Sequence, residues 1–71
     1  MELIIDVESE EKMKDLEALM DKYILGLKPM YPRVYNYKVN DQRTEMTVNF
    51  DSTDGIKMVK IFKGLGHEVS M

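Results

Sequence analysis

The chain has 71 residues, with 10 lysines and arginines against 13 aspartates and glutamates, so its net charge is −3. A chain of this length is too short to divide into two stable cores, and we expect residues 1–71 to form a single domain. A content of 44% hydrophobic and 32% charged residues excludes a disordered chain. Without cysteine, the chain has neither disulfides nor thiolate chemistry.

Charge and apolar runs also limit the class of partner. Residues 1–27 carry eight acidic and three basic side chains, whereas residues 28–71 carry five acidic and seven basic ones. The net negative charge disfavours nucleic acid as the partner, because phosphates are repelled. The longest early apolar run, residues 3–5, is too short for a secretory leader or a membrane span. We therefore expect an intracellular, cytoplasmic protein that binds no membrane.

The first predicted elements are a strand and a helix. Leu3, Ile5 and Val7 alternate with mostly polar neighbours, which is typical of a strand with one buried face. Ser9 can then accept hydrogen bonds from the first amides of a helix. Apolar residues at spacings of three and four predict that this helix continues to about Leu25. These residues are Met13, Leu16, Leu19, Met20, Tyr23, Ile24 and Leu27.

Two alternating runs in the middle of the chain, residues 33–39 and 44–51, predict a β-hairpin with its turn at residues 40–43. Side chains on a strand alternate between faces, so Tyr35 and Tyr37 share a face with the apolar residues of the second run. We expect both tyrosines to lie in the core. The opposite face is expected to be open and mostly polar. It comprises Ile4, Asp6, Val34, Asn36, Lys38, Glu45, Thr47 and Asn49.

A second helix and a short last strand complete the predicted fold. Residues 51–54 offer helix-capping side chains, and the helix is expected to end at Gly64. Its apolar face is predicted from Ile56, Met58, Val59, Phe62 and Leu65. Residues 67–71 are then expected to form the last strand, with Val69 facing inward. This order predicts an α+β, ferredoxin-like βαββα(β) sandwich with an antiparallel sheet and two helices on one face.

The chain contains no recognisable catalytic or metal-binding pattern, so we expect neither an enzyme nor a cofactor. His67 and Glu68 could act as general acid or base, but neighbouring strand residues point to opposite faces and no activated nucleophile stands nearby. The acidic segment at residues 51–54 lacks the glycine spacing of a calcium loop, and helix capping explains it better.

Surface contact with another protein is the function that remains. Met30, Tyr31 and Arg33 lie in a proline-containing loop where an exposed ring and a thioether suit a contact patch. A basic stripe at every third residue of the second helix suits an acidic partner. It consists of Lys57, Lys60 and Lys63. The polar positions offered by the open sheet face are Asn36, Lys38, Thr47 and Asn49.

These features predict a small non-catalytic protein-binding module that regulates or inhibits a larger partner protein. A virus-encoded inhibitor of a host factor or defence system, acting in the host cytoplasm, is one protein of this kind. The first alternative is a homo-oligomeric sensor of a small ligand, similar to ACT-type domains, which would make the chain a homodimer. The second alternative is binding of single-stranded nucleic acid through residues 33–38, which requires the hairpin tyrosines to be exposed.

Overall fold

The structure is a computed structural model that describes residues 1–26 and 29–70. It is an α+β domain with two helices and a four-stranded antiparallel sheet, whose strands lie in the order β2-β3-β1-β4. A short 3₁₀ helix at Ser52–Asp54 precedes the second α-helix. The elements are β1 (Glu2–Asp6), α1 (Glu10–Leu25), β2 (Val34–Val39), β3 (Glu45–Phe50), α2 (Gly55–Gly64) and β4 (Glu68–Ser70).

Helix α1 begins and ends where the sequence predicts. The side chain of Ser9 accepts a hydrogen bond from the Lys12 amide at 3.2 Å, which satisfies one of the free amides of the first turn. Gly26 ends the helix with φ at 63°, a left-handed conformation that glycine adopts without a steric penalty. The predicted apolar residue Leu27 lies outside the described residues.

One face of the sheet and both helices bury a common core. Four of the seven methionines are fully buried there, where an unbranched thioether can fill irregular gaps between sheet and helix. Complete burial of an aliphatic or aromatic side chain contributes about 1.5–3 kcal/mol. The buried residues are Leu3, Ile5, Val7, Met13, Leu16, Met20, Tyr23, Val34, Met46, Val48, Phe50, Met58 and Phe62.

The predicted burial of Tyr35 is wrong. A β-bulge shifts the register of β2 against β3, so that Val34 pairs with Phe50 while Asn36 pairs with Asn49. Tyr35 is the extra residue, and it is 52% exposed. Val34, predicted on the open face, is buried instead. Beyond the bulge the alternation is as expected, because Tyr37 packs against the core and is partly buried.

The buried face of α2 also differs from the prediction. Met58 and Phe62, four residues apart, are fully buried and cover the sheet. Ile56 precedes Met58 by two residues, about 200° around the helix, and is 77% exposed. Leu65 lies just beyond the helix and is exposed, as is Ile24 near the end of α1. The predicted Val59 is partly buried and packs against the core, so the prediction was wrong for Ile56 and Leu65 only.

The turn between α2 and β4 places His67 against the core. The amide of His67 donates to the Phe62 carbonyl at 3.1 Å, and the amide of Gly66 donates to the Lys63 carbonyl at 3.0 Å. These two bonds form a Schellman motif around Gly66, whose φ is 87°. The last strand then pairs with β1 through residues 68–70, and the predicted inward residue Val69 packs against the core.

Alanine substitutions at the two glycines of this turn should have opposite effects on stability. Gly66→Ala forces a side chain into the left-handed region and should lower the free energy of unfolding by about 1–2 kcal/mol. Gly64 is helical, and an added Cβ there would contact nothing within 4 Å. Gly64→Ala should therefore raise the free energy of unfolding by about 0.5 kcal/mol. Urea denaturation measures both, and effects of the same sign would contradict this account.

Candidate protein-interaction surface

Two of the three predicted loop residues and one of the predicted lysines line a groove of about 830 Å³. We call it the loop groove. Its walls come from the C-terminal end of α1, from the loop that leads into β2, and from Asp51, Asp54 and Lys57, which follow β3. This lining includes Tyr31, Arg33 and Lys57. The fold therefore brings Lys57 to the same surface as two loop residues that precede it by 24 or more positions. Met30, on the same loop, is 73% exposed.

Backbone hydrogen bonds hold the loop at the start of β2. The Arg33 amide donates to Asp54 Oδ2 at 2.9 Å, while the Arg33 carbonyl accepts from the Asp51 amide at 3.1 Å. Asp51 is fixed in turn, because its carboxylate accepts from the Thr53 amide at 3.0 Å and from the Thr53 hydroxyl at 2.9 Å. The Arg33 side chain is exposed although its backbone is held on both sides. The groove wall is therefore preorganised, which lowers the entropic cost of binding.

Three tyrosines line the groove at different depths. Tyr23 of α1 is buried, and burial followed by the nearby Tyr31 raises its pKa. The rings of Tyr23 and Tyr31 are 5.1 Å apart with a 60° tilt, a favourable aromatic pairing. Tyr31 is consequently half-buried rather than a freely exposed ring. Tyr35 is the exposed one, and its hydroxyl donates to Asp51 Oδ2 at 3.3 Å.

Exposed apolar side chains cluster at the rim of the loop groove. Leu25 is 68% exposed, and the neighbouring Ile24 is 42% exposed. With Met30 and Tyr35, they give this end of the molecule four exposed large apolar side chains. Aromatic and methionine side chains of this kind are enriched where proteins bind other proteins.

The loop groove carries both signs of charge. Arg33 and Lys57 supply cations, while Asp51 and Asp54 supply carboxylates. Hydrogen bonds from the backbone and side chain of Thr53 hold the pKa of Asp51 below its usual value. Its carboxylate is therefore ionised at neutral pH beside the Tyr35 hydroxyl. A phosphate group approaching Tyr35 would be repelled by this charge.

The three predicted lysines line two different hollows. Lys57 lines the loop groove, whereas Lys60 and Lys63 line a separate hollow of about 480 Å³ with Met1, Ile56 and Val59. None of the three lysines has an ion-pair partner among the described residues.

The open sheet face combines the four predicted polar positions with a row of acidic side chains. Asn36 and Lys38 are exposed, while Thr47 and Asn49 are partly exposed, so all four are accessible. Asp6 of β1 lies directly opposite Glu45 on β3 and Glu68 on β4. Like charges placed directly opposite destabilise a sheet by about 0.2–1 kcal/mol. This row of carboxylates also disfavours a phosphate backbone on the open face.

A network between α1 and the hairpin was not predicted from the sequence. Arg43 Nε donates to the two carboxylate oxygens of Glu10 at 2.6 and 2.7 Å, and its Nη2 donates to Glu17. These bonds, with Glu17 first and Glu10 second, raise the pKa of Arg43. Tyr37 continues the network by donating from its hydroxyl to Asp21 Oδ1 at 2.7 Å. Glu10 and Glu17 are seven residues apart and therefore lie on one face of α1, and this spacing is the sequence signal that one cation could bind both.

The described residues include no cluster of three or more histidine and acidic side chains arranged to hold a metal ion. Across residues 1–26 and 29–70, no helix combines the length and hydrophobicity that a membrane crossing requires. Comparison with known proteins gave no match to any family model, curated protein or solved structure. The site itself must therefore carry any argument about function.

The Tyr37 hydrogen bond predicts a pH-dependent contribution to stability. The bond to Asp21, followed by burial, raises the pKa of Tyr37 from 10.0 to about 12. Because the folded-state pKa is raised, the contribution is fully present below pH 10 and is lost as the pH rises from 10 to 12. Tyr37→Phe should lower the free energy of unfolding at pH 8 by about 1 kcal/mol.

Urea denaturation of wild type and Tyr37→Phe between pH 8 and pH 11 tests this expectation, since the difference should shrink as the pH increases. Tyr35→Phe is the matched control, because the Tyr35 hydroxyl makes a longer bond of 3.3 Å. The control should change stability less at pH 8. A Tyr37→Phe effect that stays constant with pH would contradict the assignment.

Proposed function

We propose that this chain is a small non-catalytic protein-binding module that regulates or inhibits a larger partner protein, with the partner docking at the loop groove. The single observation that supports this most strongly is the groove itself, where exposed apolar side chains surround a wall fixed by backbone hydrogen bonds. Binding energy at protein interfaces is concentrated in such aromatic and apolar anchors. The partner would supply an apolar side chain for the groove, and polar groups for Arg33 and Lys57.

We further propose that the fold is ferredoxin-like. In the chain order, α1 connects β1 to β2, and α2 connects β3 to β4. The two connections leave β1 and β3 as central neighbours, with β2 and β4 at the edges. Strand order β2-β3-β1-β4 with antiparallel pairing throughout supports the split βαβ arrangement. This architecture accommodates many functions, so the functional proposal depends on the groove rather than on the fold.

Site-specific photo-crosslinking tests the docking surface. A benzophenone amino acid at Met30, in cells that naturally express the chain, should give adducts of one defined mass. The same probe at Asp41 is the matched control, because Asp41 is exposed and follows β2 at the end remote from the loop groove. A six-residue strand separates the two ends by about 20 Å. The control should give no adduct of that mass.

A double substitution distinguishes specific docking from random capture. Adding Leu25→Ala and Tyr35→Ala to the Met30 probe should abolish the adduct, because both side chains are more than half exposed and belong to the proposed anchor. Neither substitution removes a core residue, so the fold should persist, and circular dichroism checks this. Equal crosslinking from both probe positions, or an adduct that survives the double substitution, would overturn the proposal.

Exposure of Tyr35 favours a second candidate, binding of single-stranded nucleic acid through residues 33–38. Tyr35 offers one accessible ring, with Arg33 and Lys38 exposed on either side. Two features weaken this candidate. Tyr37 is partly buried with its hydroxyl bound to Asp21, and the Asp51 carboxylate stands beside the Tyr35 ring.

Titration with a thymidine 15-mer measures this second candidate directly. We expect no saturable quenching of tyrosine fluorescence at low salt up to roughly 100 µM oligonucleotide, the range of weak nonspecific binding. Tyr35→Leu serves as the reference for quenching that arises elsewhere. Saturable quenching in the wild type that Tyr35→Leu removes would make nucleic acid the better interpretation.

A further inference from the structure

A second groove, of about 500 Å³, separates α1 from the turn between α2 and β4. We call it the helix groove. Helix α1 contributes a stripe that runs from Lys12 through Leu16 and Leu19 to Lys22, and the turn contributes Leu65 and His67. It shares no lining residue with the loop groove. The volume falls in the range of small-molecule sites.

His67 supplies an unused hydrogen-bond donor to this groove. Its residue is 8% exposed, yet its ring makes no hydrogen bond to any residue in the described ranges. An imidazole carries at least one N–H in either protonation state, so a donor is always present. Within those ranges no fully enclosed side-chain nitrogen lacks a partner. The ring nitrogens of His67 are therefore slightly exposed to solvent. His67 is also one of the residues that line the helix groove.

Backbone hydrogen bonds hold the main chain of His67 at the end of α2. The Schellman motif around Gly66 keeps the His67 amide on the Phe62 carbonyl, which fixes the point where the side chain leaves the backbone. A nearly buried donor without a protein partner needs a ligand or water to accept from it.

Charges around the helix groove favour an anion. Lys12 and Lys22 are ten residues apart, about 15 Å along the helix, so they stand towards its two ends. Lys12 is paired with Glu8 at 3.3 Å, whereas Lys22 has no ion-pair partner among the described residues. Asp15 is the single acid in the lining. Because Lys12 is already paired with Glu8, Lys22 is the lining cation that a ligand anion would meet, and the His67 ring donor lines the same groove.

The apolar part of the lining defines the remainder of the ligand. Leu16 forms the buried floor, Leu19 is half-buried, and Leu65 is 51% exposed at the edge. An apolar chain lying on these leucines would remove them from water, and its terminal carboxylate would have His67 and Lys22 in the same lining as donor and cation. We infer that the helix groove binds a small monocarboxylate with an apolar body.

Titration with octanoate, octanol and acetate tests this inference, because the three probes separate charge from apolar chain. His67 is the single histidine of the chain, so its imidazole NMR signals report on the site without assignment ambiguity. Octanoate should give a saturable shift of these signals below about 10 mM, whereas octanol and acetate should bind at least about fivefold more weakly.

Lys22→Gln should weaken octanoate binding about fivefold, the expected size of one partly exposed charge interaction, and should leave octanol binding unchanged. Lys14→Gln is the matched control, because Lys14 is exposed on α1 but does not line the helix groove. Absence of a saturable shift, equal binding of octanol and octanoate, or equal effects of the two lysine variants would overturn the inference. None of these outcomes affects the photo-crosslinking test, since the two grooves are separate.

Discussion

The β-bulge at Tyr35 is the constraint on which the arrangement of the surface depends. It lets Val34 and Tyr37 both face the core although they are three residues apart, a spacing that a regular strand would place on opposite faces. Asp51 and Asp54 hold the preceding residue Arg33 through its backbone, so the register cannot slip. The bulge therefore places Val34 in the core and Tyr35 in the lining of the loop groove.

Much of the fold was predictable because it follows from local chemistry. Ser9 and Gly26 mark the ends of α1, and Gly64 ends α2 where the sequence indicates. Alternation in β1 and β3 correctly predicts which side chains are buried. These features are encoded within a few residues, where capping and periodicity act directly.

The candidate site was harder to predict because it depends on contacts between distant residues. The alternation of side chains in residues 33–39 does not reveal the bulge, so the sequence predicted that Tyr35 would be buried in the core. Ile56 and Met58 are equally apolar, and only the placement of α2 on the sheet decides that Met58 is buried. The grouping of Tyr31, Arg33 and Lys57 was not visible from spacing alone, although each had been selected. The helix groove and the Arg43 network also depend on contacts between elements that are distant in the sequence and are brought together by the fold.

Both outer strands of the sheet are poor templates for growth by further chains. Strand β2 carries the bulge and the exposed Lys38, and β4 pairs with β1 through three residues only. A twisted or very short edge strand offers few consecutive amides and carbonyls to an incoming strand. A lysine on that edge adds a charge that is costly to bury. The irregularity that exposes Tyr35 thereby also protects the molecule from polymerising edge to edge into cross-β aggregates.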